Sequence, residues 1–356
     1  MTNTYKLLPE WVKQEAVLLA WPDKKTDWQP WLSQIRDVYL TIISTLNLAN
    51  TPVILLVRQN EIESCHRLLS ADTKALKVLL VAADYNDTWL RDYGFLSLSN
   101  GESVHPVEFR FNGWGEKFNA DKDNEINRLA LQPLCQKYIR NIGLVLEGGA
   151  IEIDQDGHLI STALCLQNPK RNGNKTLAEY KEDFASNLGA TSSTIFEHGH
   201  LEGDDTDGHI DTLVRFTAAN GLVIQTAFND PEDPHFKGLH NLLLECEAAF
   251  PRHQIFELPL PNIVNNEGDR LPASYANFLI SNKHILCPVY QQPEDELALD
   301  IIKSAYPNFK IIGINCLPLV QQFGSLHCIT MQVPEGVLKP EILHSVSNGV
   351  FIYESA

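Results

Sequence analysis

Short apolar runs rich in β-branched residues alternate with longer amphipathic stretches, and this alternation constrains the fold more than any other feature. Val17–Trp21, Val53–Val57, Val78–Ala82, Gly94–Leu98, Leu144–Leu146, Leu222–Ala227, His284–Val289 and Ile311–Ile314 are all bounded by turn residues. Runs of that length and content read as buried strands. Between them, Trp31–Leu48, Asn124–Ile139, Leu177–Leu188, Gly238–Phe250 and Glu294–Ala305 carry apolar residues at helical spacing. The last follows Pro293 and opens on Glu294, Asp295 and Glu296, acids that suit the positive end of a helix dipole. The order strand, strand, helix, strand recurs, which predicts an α/β fold. Units of roughly 60–75 residues can be drawn, although they share little sequence. No linker rich in Pro, Gly or Ser divides the chain, so a single domain over residues 1–356 is expected.

The charge balance narrows the function. With 28 Lys+Arg against 45 Asp+Glu, the 356 residues carry a formal charge of −17. A nucleic-acid binder would instead need a basic stripe to displace counterions from phosphates. An anionic membrane surface is disfavoured on the same ground. No run approaches the ~18 apolar residues that span a bilayer. The N-terminal MTNTYKLLPEWVKQEAVLLAWPDK lacks the basic stretch and apolar core of a signal peptide. A soluble cytoplasmic protein is therefore expected. The seven cysteines are odd in number, form no C-x-x-C pair and lie mostly inside apolar runs. They predict reduced thiols rather than a disulfide framework or a zinc ribbon. A small cationic substrate suits the acidic balance, and the oligomeric state is left open, a homo-oligomer being allowed.

Four segments are more polar than folding requires: NDTWLRDYG at 86–94, LEGGAIEID at 146–154, HGHLEGDDTDGHIDTLVRF at 198–216 and FGSLHCITMQ at 323–332. Each sets an ionisable residue beside glycine and a strand-like run, a common setting for a site. The third packs Glu202, Asp204, Asp205, Asp207 and Asp211 among His198, His200 and His209. Imidazole and carboxylate together suit a divalent cation. A metal-dependent hydrolase using His198, His200 and the aspartates is one reading, and a solvated acidic loop another. The segment has neither the alternating oxygens of a calcium loop nor an H-E-x-x-H pattern. A third reading places His209 and Asp211 on one face of a strand, a proton carrier beside a fixed anion.

Cys328 taken alone would be a small buried hydrophobe. A separate histidine and several carboxylates give it the company of a thiolate nucleophile. Its neighbour His327 would face the other way on a strand and reads as a hydrogen-bonded structural histidine. Asp92 by itself reads as a turn aspartate paired with Arg91. Glu147, before Gly148-Gly149, would need a partner if buried, and a guanidinium is an obvious one.

Taken together, W-x-R-D-x-G, L-E-G-G, G-H-x-D-x-x-x-R-F and a late G-x-x-H-C-I-T resemble the agmatine deiminase family of the guanidine-modifying superfamily. Peptidyl-arginine deiminases, arginine deiminases and amidinotransferases share that superfamily. LLAWPDKKTDW near the N-terminus and FNGWG at 111–115 extend the likeness over nearly the whole chain. The resemblance implies a five-bladed α/β propeller, or pentein, of ββαβ-like modules around a pseudo-fivefold axis, with the site in its central channel. It implies Cys328 as nucleophile, His209 as general acid/base, and Asp92 and Asp211 as the carboxylates gripping the guanidinium. Glu147 would support His209 and the substrate's polar end, while Trp89 and Trp114 would line the substrate site. The implied reaction converts agmatine to N-carbamoylputrescine and ammonia, a step towards putrescine, through a thiouronium (S-amidino) adduct on Cys328. It uses no metal and no cofactor.

Peptidyl-arginine or free arginine are alternative substrates within the superfamily, and a non-catalytic binder of polyamine-like cations would leave Cys328 idle. Asp204, Asp205 and Asp207 offer carboxylates for agmatine's far ammonium, Asp205 being favoured. No lysine or arginine lies between Glu197 and His209 to take the carboxylate of free arginine. Phe323-Gly324-Ser325-Leu326 departs from the glycine-rich run that many members carry before the cysteine, which bears on substrate identity.

Overall fold

The computed structural model of the chain describes residues 5–71, 76–347 and 349–354. Its strands assemble into five sheets, four of which share one plan. Leu96–Ser99 and Val104–Arg110 form an antiparallel hairpin, and Arg140–Val145 returns parallel to the second strand. Glu152–Ile153, His158–Thr162 and Ser192–Phe196 repeat the arrangement. So do Val214–Phe216, Gly221–Gln225 and Gln254–Leu258, and again Leu279–Ser281, His284–Val289 and Lys310–Asn315. A parallel return needs a crossover, and the helices Leu177–Leu188, Phe236–Ala249 and Asp295–Ala305 supply three of them.

The fifth sheet draws on both halves of the chain. Met331–Pro334 pairs antiparallel with Gln14–Ala20, setting Met331 opposite Leu18. From Gln14–Ala20 the chain crosses through the helix Leu32–Leu48 to the parallel strands Val53–Val57 and Val78–Ala82, with Val350–Ile352 beyond them. Val53–Val57 is buried throughout, as expected of a parallel strand covered on both faces. Leu32–Leu48 turns Ile35, Tyr39, Ile42 and Leu46 inward at helical spacing. Leu177–Leu188 opens on a Thr176–Glu179 capping box and stops at Gly189, whose φ of 65° is left-handed.

The eight apolar runs all fall on strands within a few residues. Four of the five amphipathic stretches are helices; Asn124–Ile139 is not. Tight turns at Asp123–Glu125 and Gln132–Leu134 flank a wide turn at Asn127–Leu131, and the chain extends before the strand Arg140–Val145. Pro133 lacks a donor and restrains Gln132, so a regular helix cannot run through. All seven cysteines are free and buried. Among the described residues no helix is long and apolar enough to cross a membrane.

A short turn precedes the first strand of each hairpin. Leu90–Tyr93 leads into Leu96–Ser99, Gly148–Ala150 into Glu152–Ile153, and Ile210–Thr212 into Val214–Phe216. Turns at 275–276 and 326–329 lead into Leu279–Ser281 and Met331–Pro334. These lead-in turns hold Asp92, Asp211 and Cys328, with Glu147 and His209 immediately ahead of two of them.

Candidate active site

Asp92, His209, Asp211 and Cys328 line one cavity, together with Trp89, Trp114 and Asp205. Gly149 explains how the first three approach one another. A Cβ on it would lie 2.6 Å from His209 Nδ1, 2.9 Å from Asp92 Oδ1 and 3.1 Å from Asp211 Oδ2. Only glycine leaves room for all three side chains.

Asp92 is held by neutral donors. Trp114 Nε1 donates to Oδ2 at 2.8 Å and the Gly149 amide to Oδ1 at 3.0 Å. Trp114 reaches it from a left-handed turn, with φ of 65°, 57°, 83° and 63° from Gly113 to Glu116. Such a backbone costs about 1–2 kcal/mol at a non-glycine residue, a strain that surrounding structure must enforce. Burial, with the nearby charge of Asp211, pushes the Asp92 carboxyl up to about 6, His209 opposing the rise. His209 Nδ1 sits 3.6 Å from Asp92 Oδ1. Burial disfavours an imidazolium, but Asp92, Cys165 and Glu147 outweigh it and carry His209 up to about 10. At neutral pH this histidine is a proton donor. The expected pairing of Asp92 with Arg91 does not form. Arg91 instead aims Nε at the His327 carbonyl, 3.4 Å away, and Nη1 at Met331 Sδ, 3.5 Å away.

Asp211 is held by a chain of charged groups. Its Oδ2 lies 2.7 Å from His327 Nδ1, and His327 Nε2 lies 2.8 Å from Glu10 Oε2. Arg215 Nη2 donates to the same Glu10 oxygen at 2.5 Å. Arg215 Nη1 reaches the carbonyls of Ala276 and Phe278 at 3.1 and 2.6 Å, gripping the backbone on both sides of Asn277. Burial alone would raise the Asp211 carboxyl, but the hydrogen bond and charge of His327, with His209 and Arg215, bring it below its ordinary value. The strand expected at His209 and Asp211 is a tight turn, Ile210–Thr212, ending just before Val214–Phe216. A three-residue turn before a strand carries no period to distinguish it from the strand. His327 and Cys328 likewise sit in a turn, and His327 has the hydrogen-bonded role expected of it.

Cys328 is 8 % exposed, and its Sγ lies 3.3 Å from Asn277 Oδ1. Burial, reinforced by the charges of Asp211 and Asp92, pushes the thiol well above its ordinary range. The free protein therefore holds Cys328 as a thiol. Around it, Asp211 Oδ1, His209 Nε2 and Asn277 Nδ2 are buried without a hydrogen-bond partner among the described residues. Buried polar atoms are nearly always partnered, so these three atoms have hydrogen-bonding capacity that a polar group can take up.

Glu147, expected to support His209 and the substrate's polar end, is not among the residues that line the cavity. It is fully buried, and Arg171 Nε reaches both its oxygens at 2.8 and 3.1 Å. The guanidinium partner is thus the protein's own. Glu147, Cys165 and His209 offer atoms within 4.8 Å of one another, so Glu147 still acts on the imidazole through its charge. The metal cluster of His198, His200 and the aspartates does not assemble. Both histidines are exposed, and His198 Nδ1 pairs with Glu245 Oε1 at 2.6 Å.

The acidic loop is not free of cations in space. Lys117 Nζ donates to Asp207 Oδ1 at 2.8 Å and to the Asp205 carbonyl at 2.6 Å, and Arg171 Nη1 to Asp207 Oδ2 at 2.7 Å. Asp204 caps the loop through the amides of Thr206 and Gly208. Of the three aspartates, only Asp205 lines the cavity with a carboxylate that no hydrogen bond holds among the described residues. Asn277, Arg171, Cys165, Glu10 and Arg215 escaped the sequence reading as site residues. Two had a usable signal: Arg215 is the arginine of the G-H-x-D-x-x-x-R-F motif, and Asn277 stands two residues ahead of a first strand where Asp211 and Cys328 stand three ahead.

Comparison with known proteins follows the same line. Residues 6–334 match the family of Porphyromonas-type peptidyl-arginine deiminases. A Vibrio parahaemolyticus protein, provisionally named agmatine deiminase, is 32 % identical over 346 residues, 89 % of this chain and 93 % of its own length. A C. jejuni agmatine deiminase, solved as a cysteine-to-serine variant with substrate bound, superposes with a TM-score of 0.85 at 30 % identity, covering 94 % of this chain and 98 % of that one. A Porphyromonas gingivalis protein, provisionally named arginine deiminase, gives 0.86 at 36 % identity, covering 94 % and 100 %. With its mixed α/β fold and its match along most of these relatives, the chain belongs to the Porphyromonas-type peptidyl-arginine deiminase family, hydrolases of amidine carbon–nitrogen bonds.

Proposed function

We propose that this protein hydrolyses agmatine to N-carbamoylputrescine and ammonia through a thiouronium adduct on Cys328. One observation carries the reading: a buried thiol shares a cavity with two carboxylates, one of whose oxygens has no partner. A guanidinium brings planar donors to carboxylates on both sides, an arrangement a compact ammonium matches poorly.

Seating the cation between Asp92 and Asp211 cancels the charges that hold the Cys328 thiol up, and its proton leaves to water. The thiolate then adds to the central guanidinium carbon. His209 gives its proton to one amino nitrogen, which departs as ammonia with the electron pair of the broken carbon–nitrogen bond. The adduct left is the cationic S-amidino form of Cys328. His209, now neutral, takes a proton from water as its oxygen adds to the same carbon. Collapse expels the thiolate and a proton, which ammonia takes up as ammonium, leaving the ureido product. Holding the carbon against the thiol is the positioning contribution of the carboxylates.

The far ammonium of agmatine rests by Asp205, with the indole of Trp89 along the alkyl chain. Agmatine is the substrate named for the Vibrio and C. jejuni relatives. Arginine is the second reading, favoured by the Lys117 ammonium beside Asp205, which could meet a carboxylate. In this proposal the five sheets are the blades of a pentein propeller forming one domain, and the lead-in turns face its central channel. The parallel return in four sheets and the shared fifth support that arrangement. Free thiols fit a reducing cytoplasm. Comparing kcat/KM for agmatine, arginine and a blocked arginyl peptide tests the substrate. Mass spectrometry of protein quenched during turnover tests the adduct, and Cys328 unmodified under productive turnover would sink the covalent step.

A further inference from the structure

We propose that Phe323 is a specificity gate, its ring narrowing the cavity mouth so that a slender guanidine enters and an arginine carrying flanking peptide does not. The inference rests on the deiminase reading above and adds the residue that sets the substrate's size.

Phe323 has a left-handed φ of 62°, a conformation bulky residues avoid and glycine or asparagine adopts freely. Its neighbours impose that backbone. Gln322 Nε2 donates to the Asp27 carbonyl at 3.1 Å, and Ser325 Oγ lies 2.8 Å from the Tyr290 hydroxyl. Between them Gly324 lies flat on an indole: a Cβ there would come within 2.3 Å of the Trp89 ring. The segment is thus pinned on both sides of Phe323, while the Phe323 ring joins no buried hydrophobic cluster among the described residues.

Phe323 is 37 % exposed and lines the cavity, as does Phe118, which is 46 % exposed. Phe118 in turn sits edge-on to Trp114, with ring centroids 5.6 Å apart, and Trp114 holds Asp92. Aromatic surface therefore runs from the mouth down to a guanidinium-binding carboxylate. Neither core packing nor turn geometry calls for phenylalanine at 323, since both would be better served by a smaller residue. A strained residue at a site points to a role for its side chain. At the mouth that role is steric. Agmatine presents a single alkyl chain there, whereas a peptidyl arginine presents a branched Cα with two backbone arms.

The test compares kcat/KM for agmatine with that for Nα-benzoyl-arginine amide in wild type, Phe323→Gly and Phe323→Leu, beside thermal melts. In Phe323→Gly the preference for agmatine should fall at least tenfold, through a lower KM for the blocked arginine. Its melting temperature should not drop, because glycine accepts the left-handed backbone. Phe323→Leu, which keeps apolar bulk, should retain most of the preference. A folded Phe323→Gly protein with the wild-type preference within twofold would overturn the gate and leave the proposed function standing. Wild type processing both substrates equally well would also overturn it. Wild type inactive on every guanidine would strike down the proposed function, and the gate with it.

Discussion

Asp92 and Asp211 occupy matching places in two modules, each in the turn before a first strand, yet they are held in opposite ways. An indole and a backbone amide grip Asp92, whereas Asp211 ends a charged chain through His327 to Glu10 and Arg215. Both are buried, and burial raises any carboxyl. The outcome nevertheless differs in sign: Asp92 rises to about 6 while Asp211 falls below its usual value. Burial sets a common cost, and the charge of the partners decides which way each group moves. Asp211 is built as a permanent anion. Asp92 can change its charge within an ordinary pH range.

The largest expected effect removes the chemistry and leaves the comparison intact. Cys328→Ala should lose turnover by roughly 10⁴-fold or more, as for other lost nucleophiles, with an unchanged melt. Ammonia release by the folded variant at a sizeable share of the wild-type rate would end the nucleophile assignment. Because it keeps both carboxylates, it is the background in which their binding can be measured by calorimetry.

Replacing either carboxylate should cost about 10²–10³-fold in kcat/KM for a charge that positions the reacting carbon. The two variants should part company in stability. Asp211→Asn strands His327 beside Glu10 and should melt lower, with a loss of about 1–3 kcal/mol for a broken buried charged hydrogen bond. In Asp92→Asn the single amide oxygen can keep only one of the Trp114 and Gly149 donors, but no charged partner is left behind, so its melt should move less. The reverse order of melting would break the comparison. Lysine-like ligands should bind the Asp92–Asp211 pair more weakly than guanidines.

His209→Asn should slow kcat by about 10²-fold while substrate binding persists, and EDTA should leave wild type untouched. Restoration by added Zn²⁺ or Mn²⁺ would contradict an acid/base role.

A smaller effect concerns pH. Below about 6 Asp92 takes up a proton and loses its attraction for a cation, so guanidine affinity in Cys328→Ala should weaken as pH falls through that value. The weakening should vanish when Asp92→Asn is added and remain when Asp211→Asn is added instead. Smallest of all, Asp205→Asn should raise KM for agmatine several-fold with little change in kcat, since a half-buried charge away from the reacting carbon contributes little to chemistry.

What could be read from the chain alone follows from how locally each feature is written. Val53–Val57 and His284–Val289 announce themselves because burial on both faces leaves an unbroken apolar run. Cys328, His209, Asp92 and Asp211 were legible as an unusual set, each near glycine and ahead of a strand. Their roles came from the family likeness rather than from spacing. Arg171 meets Glu147 and Asp207, and Arg215 meets Glu10, across stretches of chain that no local pattern links. Asn277 sits in SYANFLIS, where no charged residue or glycine accompanies it and its place ahead of a strand is the one cue. Pro133, read as one residue in an amphipathic stretch, outweighed the apolar periodicity around it.

The pairing of Met331–Pro334 with Gln14–Ala20 has a consequence for when the protein can work. The thiol lies just ahead of that late strand, while its carboxylates and histidine emerge much earlier during synthesis. A ribosome must deliver the chain through Cys328 before the proposed nucleophile can meet Asp92, His209 and Asp211, and the sheet it precedes then forms by a contact of very long sequence separation, a slow kind of event. Until that moment the nascent chain holds the proposed carboxylates and histidine without the proposed nucleophile, so on this reading products that stop short of Cys328 are born silent.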